Sequence, residues 1–533
     1  MPADRSEDDY WLHRRTPAHL EFRAARELLL RLRLDHDAAV AAFRWPRPDR
    51  FNWALEWFDV VADGNDSPAL VLLDHRGEIE RTVSFAAMSA GSDNLAVELT
   101  ERGVRRGERV LIVLGTRVEL WEAILACLKI GAVAVPHHGG LSPETAADRV
   151  RRGRIPHALT TPDFPPVPLP GLRLTTADWP GGHRRFHPTG PTPAADPALC
   201  YFTSGTTARP KLVAHTHSSY PIGHLSGLYW NGLLPGDRHL NISAPGWAKH
   251  SWSSLFVPWN AEATVYALPD GPLPDAALPA LLASHAVTSF CAPPSAWQAL
   301  RPHLGSATPR LREATSAGEP LDPALYAEVL DAWDVRVRDG YGQTETTALI
   351  GTTPGLTPRP GRIGRPLPGY RIVLAADGEV CVDLSDAPAG MMAGYADDPE
   401  RTAAAFADGR YGTGDLGECD ADGWYRIDGR RDDVFKSFDR RVSPYEVEAV
   451  LRTHPAVAEV AVIPEPHPTG GQAPHALVVL RPAVAPGAAP TSAALLAHAA
   501  RHLPPELRPH TVTFVDRLAR TASGKIIRTR PRS

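Results

Sequence analysis

Cysteine is scarce in this chain, and the little there is does not cluster. Five cysteines (Cys127, Cys200, Cys291, Cys381 and Cys419) are scattered through 533 residues, odd in number and never spaced Cys-x-x-Cys. That argues against a disulfide framework or a structural zinc site and fits a reducing compartment. Long apolar runs are missing too: none reaches the ~18 residues that a membrane helix needs. The charged start, Met1-Pro-Ala-Asp-Arg-Ser-Glu-Asp-Asp, lacks the apolar centre of a signal peptide. The expectation is a soluble, cytoplasmic protein with no membrane partner. Positive charge is not in excess either; the formal net charge is −5, so nucleic acid is not an expected partner. No internal repeat is visible, which argues against solenoid and propeller arrays.

What the chain does contain is an ordinary globular composition, 43% hydrophobic and 22% charged, in a length too great for one core. Two or more domains are expected. Residues 20–34 carry helical patterning, and 51–58 are rich in aromatics. From Ser67 short apolar runs alternate with helical stretches: a strand at 69–73, a helix over 84–102, a strand at 109–114, a helix over 118–129 and a strand at 132–136. This alternation predicts an α/β fold of parallel strands covered by helices. Residues 162–197, rich in Pro and Gly, read as an irregular surface connection. Residues 215–228 read as a helix interrupted near Pro221, and 288–292 as a buried strand. The texture changes near 428–431. Ser443-Pro444-Tyr445-Glu446 has the form of a helix start, with Ser as N-cap, Pro at the first position and Glu three on. Strands at 457–463, 476–480 and 511–515 surround a helix at 491–502, the content of a small α+β domain. The charged stretch Arg430-Arg431-Asp432-Asp433 between the two patterns suits a hinge.

Several stretches carry chemistry. Tyr201-Phe-Thr203-Ser204-Gly205-Thr206-Thr207-Ala208-Arg209-Pro210-Lys211 follows an apolar lead-in and gathers hydroxyls, one glycine and a lysine. Hydroxyl donors, free N–H groups beside a glycine and an ammonium are what holds phosphate oxygens. Taken alone, the cluster reads equally well as a Ser/Thr-rich surface turn. It is not a Walker A loop, because Gly-x-x-x-x-Gly-Lys-Ser/Thr is absent. Asp339-Gly340-Tyr341-Gly342-Gln343-Thr344-Glu345-Thr346 follows a strand expected at 335–338. Its two glycines would let a ligand approach the backbone, Tyr341 offers a stacking face, and Thr344 can bond a phosphate. Glu345 suits a Mg2+ already carried by phosphates. A glycine turn with a solvated Glu is the plain alternative.

Tyr411-Gly412-Thr-Gly414-Asp415-Leu-Gly417 has the letters of a dinucleotide fingerprint. Turn and strand text follows it, however, where that fingerprint must open a helix. Asp415 remains as a lone carboxylate in a glycine turn, suited to ribose hydroxyls. Near the end, Ser523-Gly524-Lys525-Ile-Ile-Arg528 reads on its own as a basic tail. His215-Thr-His217 has the spacing of a metal pair without a third ligand, so structural or polar roles are expected. No Gly-x-Ser-x-Gly elbow supports Ser204 as a hydrolase nucleophile.

Together and in this order, these segments resemble the adenylate-forming superfamily of acyl-CoA synthetases, peptide-synthetase adenylation domains and firefly luciferase. The likeness spans about Phe51 to Arg528. It rests on the hydroxyl loop with Pro-Lys, Tyr-Gly-Gln-Thr-Glu, Thr-Gly-Asp, Gly-Arg-x-Asp-Asp and Ser-Gly-Lys, a jointly specific set. Ala244-Pro-Gly-Trp247-Ala-Lys-His250 and Asp432-Asp-Val-Phe-Lys-Ser are most similar to the acetyl-, medium-chain and aryl acyl-CoA synthetase branch.

The resemblance implies a large N-terminal domain (1–429) of parallel-rich sheets with helices plus a β-barrel-like subdomain. A hinge at 430–433, turning on Asp432, and a small mobile α+β C-terminal domain (434–533) complete it. It implies an acid:CoA ligase that uses ATP and Mg2+ to form an acyl-adenylate from a small carboxylic acid, then transfers the acyl group to CoA. Thr203, Ser204, Gly205, Thr206, Thr207 and Lys211 would hold the phosphates. Gly318, Glu319 and Pro320, with Asp339, Gly340, Tyr341, Gly342, Gln343 and Thr344, would line the adenine pocket. Glu345 would bind Mg2+, Asp415 and Arg430 the ribose, and Trp247 and His250 the acyl group. Lys525 would bridge the carboxylate and the α-phosphate. A homodimer is left open.

Two departures stand out. Ala208-Arg209 occupies the place of the family's glycine after the Thr pair. Phe438-Asp439-Arg440-Arg441 replaces Ser-Gly-Tyr-Arg, so Asp439, Arg440 and Arg441 become the CoA-side candidates. They keep two alternatives in view: a half-enzyme that only thioesterifies a pre-made acyl-AMP, and a non-catalytic adenylate binder.

Overall fold

The fold is that of a computed structural model describing residues 15–203, 210–271, 275–319, 321–437, 440–467, 471–481 and 490–520, with Ile526 and Arg528. The chain divides into two units. One comprises the chain up to Ile372 together with Asp383–Arg410; the other comprises Val373–Val382 and the chain from Tyr411 onward.

The first unit is α/β. Its seven-stranded sheet has five parallel strands, among them Arg109–Val113, Val133–Pro136 and Pro197–Thr203. One edge is extended by antiparallel β1 (Lys211–Thr216) and then by the short strand Gly394–Tyr395. Strands such as Arg109–Val113 are buried on both faces, which is why they read as unbroken apolar runs. Helix Phe85–Glu101 starts where Ser84 Oγ accepts from Ala87 N at 3.1 Å, and Val118–Ile130 stops at Gly131, whose φ is 72°.

The nine-stranded sheet has six parallel strands at its centre and antiparallel strands at both edges. Its parallel members include β2 (Glu313–Ala317) and β3 (Val337–Gly342), and antiparallel β4 (Ala348–Gly351) follows. The strand expected at 335–338 therefore begins later and runs through the glycines. The aromatic-rich segment 51–58 is interior, with Phe51, Trp53, Trp57 and Phe58 at most 2% exposed. Within it Glu56 is buried, its carboxylate accepting from Thr16 Oγ1 and Asn52 N; burial pushes its pKa up to about 7.

Two local expectations are corrected. Residues 215–228 are not one interrupted helix. His215 lies within β1, and helix α1 (Ser219–Asn231) begins beyond that strand, with Pro221 in the first turn, where a missing N–H is harmless. Ser443 does not cap helix Pro444–Arg452; its hydroxyl donates to the Asp428 carbonyl instead.

The second unit holds a four-stranded curled sheet that includes β5 (Arg410–Cys419) and β6 (Tyr425–Arg430), and a separate C-terminal sheet. The latter contains Val457–His467, Gly471–Leu480 and Thr511–Phe514, packed with helices Pro444–Arg452 and Ser492–His502 around Val447, Leu451, Val462, Val478 and Leu495. This is the expected α+β pattern.

Candidate functional site

Open α/β sheets bind ligands in the crevice beyond the carboxyl ends of their parallel strands. In the first unit β1, β2 and β3 bring the expected groups to such edges. The two-residue period of a strand puts Lys211, Val213 and His215 on one face of β1. At one end of that face His215 Nε2 lies 2.7 Å from the Thr344 carbonyl, and its Nδ1 lies 3.1 Å from Ser219 Oγ. A carbonyl only accepts, so Nε2 carries the proton and Nδ1 accepts from Ser219. Burial lowers the imidazole pKa to about 4, so the ring is neutral. His215 is thus a tie between strand and turn, and its metal-like spacing to His217 has no metal geometry behind it. Among the described residues no group of three or more His, Cys, Asp or Glu is arranged to hold a metal ion.

At the other end of the same face lies Lys211. Its ammonium is 3.3 Å from the Tyr395 phenol oxygen, and that oxygen is 3.1 Å from Glu345 Oε1. The Glu345 main chain is pinned as well, its carbonyl accepting from Met392 N at 2.8 Å. No described donor engages Glu345 Oε2. A single hard carboxylate with one oxygen free of described donors fits a Mg2+ ion whose remaining ligands are phosphate and water oxygens.

In the nine-stranded sheet, Gly318 and Glu319 follow β2 directly. Gly318 has φ +116°, a conformation L side chains rarely adopt, and no atom lies within 4 Å of where its Cβ would be, so the turn is open on that side. In β3 two glycines are crowded on the side where a Cβ would stand. A Cβ at Gly340 would run into the Trp230 indole, and one at Gly342 into the Thr347 carbonyl. The close approach they permit is to the protein's own core. Tyr341 is half-buried and its hydroxyl accepts from Gln343 Nε2 at 3.2 Å. The Asp339 carboxylate is turned inward, accepting from Gly340 N at 2.9 Å and Leu321 N at 3.3 Å; burial raises its pKa to about 7. It borders a cleft lined also by Leu321, Tyr326, Pro358 and Arg362.

The two acyl-pocket candidates have different surroundings. Trp247 is half-exposed and stacks on His138, with centroids 6.1 Å apart. His250 is buried against Trp121 at 5.6 Å, its pKa lowered to about 4 by burial. Between them Lys249 donates to the Ala317 carbonyl at 3.0 Å. Burial lowers the pKa of this ammonium, while the nearby Cys291, Asp339 and Glu319 act to raise it.

In the second unit Asp415 and Arg430 are cross-strand partners on β5 and β6. Arg430 Nη1 lies 3.1 Å from Asp415 Oδ1 and 3.0 Å from the Thr413 carbonyl. The expectation of a lone carboxylate in a glycine turn is corrected on both counts: Asp415 lies within a strand and is paired. The strand also explains why the glycine pattern at 412–417 opens no helix. Asp432 falls in the short 3-10 turn Arg431–Asp433. Beside it, Asp433 pairs with Arg528 at 3.1 Å, and Arg528 also reaches Glu448 at 2.9 Å and covers the Tyr445 ring at 4.2 Å. Arg440 and Arg441 lie on strand Arg440–Val442, paired antiparallel with Phe435–Ser437.

Thr203 ends strand Pro197–Thr203, opposite Lys211. Ser204, Gly205, Thr206, Thr207, Ala208, Arg209, Pro320, Phe438, Asp439 and Lys525 lie outside the described residues. The sequence reading passed over Tyr395 and Lys249. The only local signal near Tyr395 is the helix start Asp398-Pro399, where Asp398 caps helix Pro399–Ala405. Lys249 was visible only as one letter inside the Trp247–His250 stretch.

The AMP-binding enzyme family matches residues 58–395, and the AMP-binding enzyme C-terminal domain matches residues 446–525. The chain is 35% identical over 513 residues to 4-hydroxybutyrate–CoA ligase 1 of Metallosphaera sedula, with 90% of each chain covered. It is 30% identical over 535 residues to the mitochondrial acyl-coenzyme A synthetase ACSM3 of Rattus norvegicus, with 91% of each covered. The solved structure of the anthranilate CoA ligase AuaEII in complex with anthranoyl-AMP has a TM-score of 0.79 at 26% identity, over 90% of this chain and 96% of that one. In sequence and in fold, the chain belongs to the AMP-binding enzyme family, in its acyl-CoA synthetase branch.

Proposed function

We propose that the protein is a two-step acid:CoA ligase. A carboxylate oxygen of the acid attacks the α-phosphate of ATP, pyrophosphate leaves, and the CoA thiol then displaces AMP from the acyl-adenylate. The observation that carries this reading is the strand-edge arrangement in which Lys211 and Glu345 flank one phenol, a cation for phosphate and a hard anion for Mg2+ within a few ångströms. A bound Mg2+ would neutralise phosphate charge there. Lys211 and the hydroxyls of 203–207 would grip the phosphates. Gly318–Pro320 and Asp339–Thr344 would hold the adenine, and Asp415 with Arg430 the ribose.

Lys525 would neutralise the charge that gathers on the α-phosphate as the carboxylate attacks. The second half-reaction needs Lys525 withdrawn and CoA admitted, a reason for a small domain (434–533) beyond a hinge at 430–433. The enzyme would act in the cytoplasm on a small-molecule acid, without nucleic acid or membrane as partner. The relative at 35% identity makes 4-hydroxybutyrate and its chain-length neighbours the first acids to supply. Trp247 keeps aromatic acids in the panel.

Isotope exchange between pyrophosphate and ATP, driven by a suitable acid, tests the reading. Exchange should be robust in the wild type and fall by about 10²–10³ in Lys525→Ala, the usual loss of one contact to developing charge. Undiminished exchange in that variant would remove Lys525 from the chemistry.

A further inference from the structure

Tyr395 has no part in the chemistry assigned so far, yet it stands between two groups that do. Its hydroxyl is 3.1 Å from Glu345 Oε1 and 3.3 Å from Lys211 Nζ, and the ammonium also lies 4.9 Å from the centre of its ring. A carboxylate only accepts and an ammonium only donates, so the phenol gives its proton to Glu345 and accepts one from Lys211. The ring has little freedom to do otherwise. Tyr395 is 7% exposed, its N–H donates to Thr402 Oγ1 at 2.9 Å, and its strand is paired with β1 at Val213. The same segment holds the Glu345 carbonyl through Met392 N. Phenol, carboxylate and the strand bearing Lys211 are therefore fixed relative to one another.

Opposite charges this close, one on a flexible four-carbon stem, would close into a direct ion pair if nothing stood between them. A direct pair would cancel the two charges that the nucleotide and its metal need. We propose that Tyr395 is a positioning residue, a spacer that keeps Lys211 and Glu345 apart and aimed at their ligands. The proposal rests on the reading of Lys211 as phosphate ligand and Glu345 as metal ligand, and adds how the two stay available.

Tyr395→Phe removes one oxygen and leaves the ring. Binding of Mn2+, a spectroscopically visible substitute for Mg2+, is titrated by EPR with a non-hydrolysable ATP analogue present. The half-saturating Mn2+ should rise about tenfold, the usual effect of losing one hydrogen bond to a charged group. Thioester formation from pre-made acyl-AMP and CoA, which needs no phosphate–metal complex, should stay within about twofold, the scatter expected of a site left intact. In a crystal structure of the variant, Lys211 Nζ should lie within about 4 Å of a Glu345 oxygen, ion-pair distance. Unchanged Mn2+ binding in Tyr395→Phe, or equal loss in both half-reactions, would overturn the proposal. Glu345→Gln separates the two ideas. If it shifts the Mn2+ titration and Tyr395→Phe does not, only the spacer role fails; if Glu345→Gln does not shift it, the metal-ligand reading fails as well.

Discussion

The ring of His215 and the main-chain carbonyl of Thr344 are joined by a 2.7 Å hydrogen bond that hangs the Thr344–Glu345 turn on β1. Four residues back on the same face, Lys211 meets the phenol that holds the Glu345 side chain. One strand face thus sets both the backbone and the carboxylate of the residue read as the metal ligand. A neutral imidazole with its proton on Nε2 does this without adding charge beside the proposed phosphate site.

Replacing His215 by Leu should leave the Thr344 carbonyl without its donor and cost about 1–3 kcal/mol of stability. Denaturant midpoints would show it, and acid-driven pyrophosphate exchange should weaken along with them. An unchanged midpoint would mean that another donor, or water, satisfies the carbonyl.

The buried Glu56 makes stability pH-dependent in a defined direction. Its folded pKa of about 7 lies above the ordinary 4.5. The folded state therefore keeps a proton that the unfolded chain releases, and the stabilisation present below pH 4.5 is lost as pH rises through about 7. The stability of the wild type relative to Glu56→Gln should fall from pH 5 to pH 8, by on the order of 3 kcal/mol at most. Paired urea titrations across that range test it, and a pH-independent difference would contradict it.

Much of this was legible in the sequence. The helices at 84–102 and 118–129 and the strand at 457–463 announced their elements because apolar patterning is local. Other features depend on partners far along the chain. That Gly340 and Gly342 leave room for Trp230 and Thr347 cannot be read from their own neighbours in the chain. Asp415 looks unpaired until the sheet sets Arg430 opposite. Ser443 has the letters of a cap, but the Asp428 carbonyl takes its hydroxyl. Tyr395 carries no local mark at all, since its meaning comes from Lys211 and Glu345, far from it in sequence.

The Asp415–Arg430 pair should matter for the nucleotide more than for the acid. Asp415→Asn would weaken a charge-assisted hydrogen bond of about 1.5–3 kcal/mol, so AMP affinity should fall about 10–100-fold. The KM of the acid should change little. Calorimetric titration with AMP measures the first and steady-state kinetics the second; equal effects on both would point to general loss of structure.

Arg528 ties the C-terminal tail to helix Pro444–Arg452 through Glu448, which is almost wholly buried, and to Asp433. Arg528→Ala leaves the Glu448 carboxylate with its strongest partner gone, a change that typically costs about 3–5 kcal/mol. Calorimetry of the full chain should show a lower melting temperature, and the loss should be smaller in Arg528→Ala/Glu448→Gln. An Arg528→Ala variant as stable as the wild type would leave the pair without a structural role.

The central claim is that acid, ATP and CoA are converted by this one chain through an acyl-adenylate. The most direct measurement supplies all three with Mg2+ and a panel of acids beginning with 4-hydroxybutyrate, and follows acyl-CoA, AMP and pyrophosphate by mass spectrometry. The account predicts all three products in equal amounts and their common loss in Lys525→Ala, with acyl-CoA and AMP, but no pyrophosphate, returning when pre-made acyl-AMP is supplied. Acyl-CoA formed only from acyl-AMP and never from acid with ATP, or accompanied by ADP and phosphate, would contradict it.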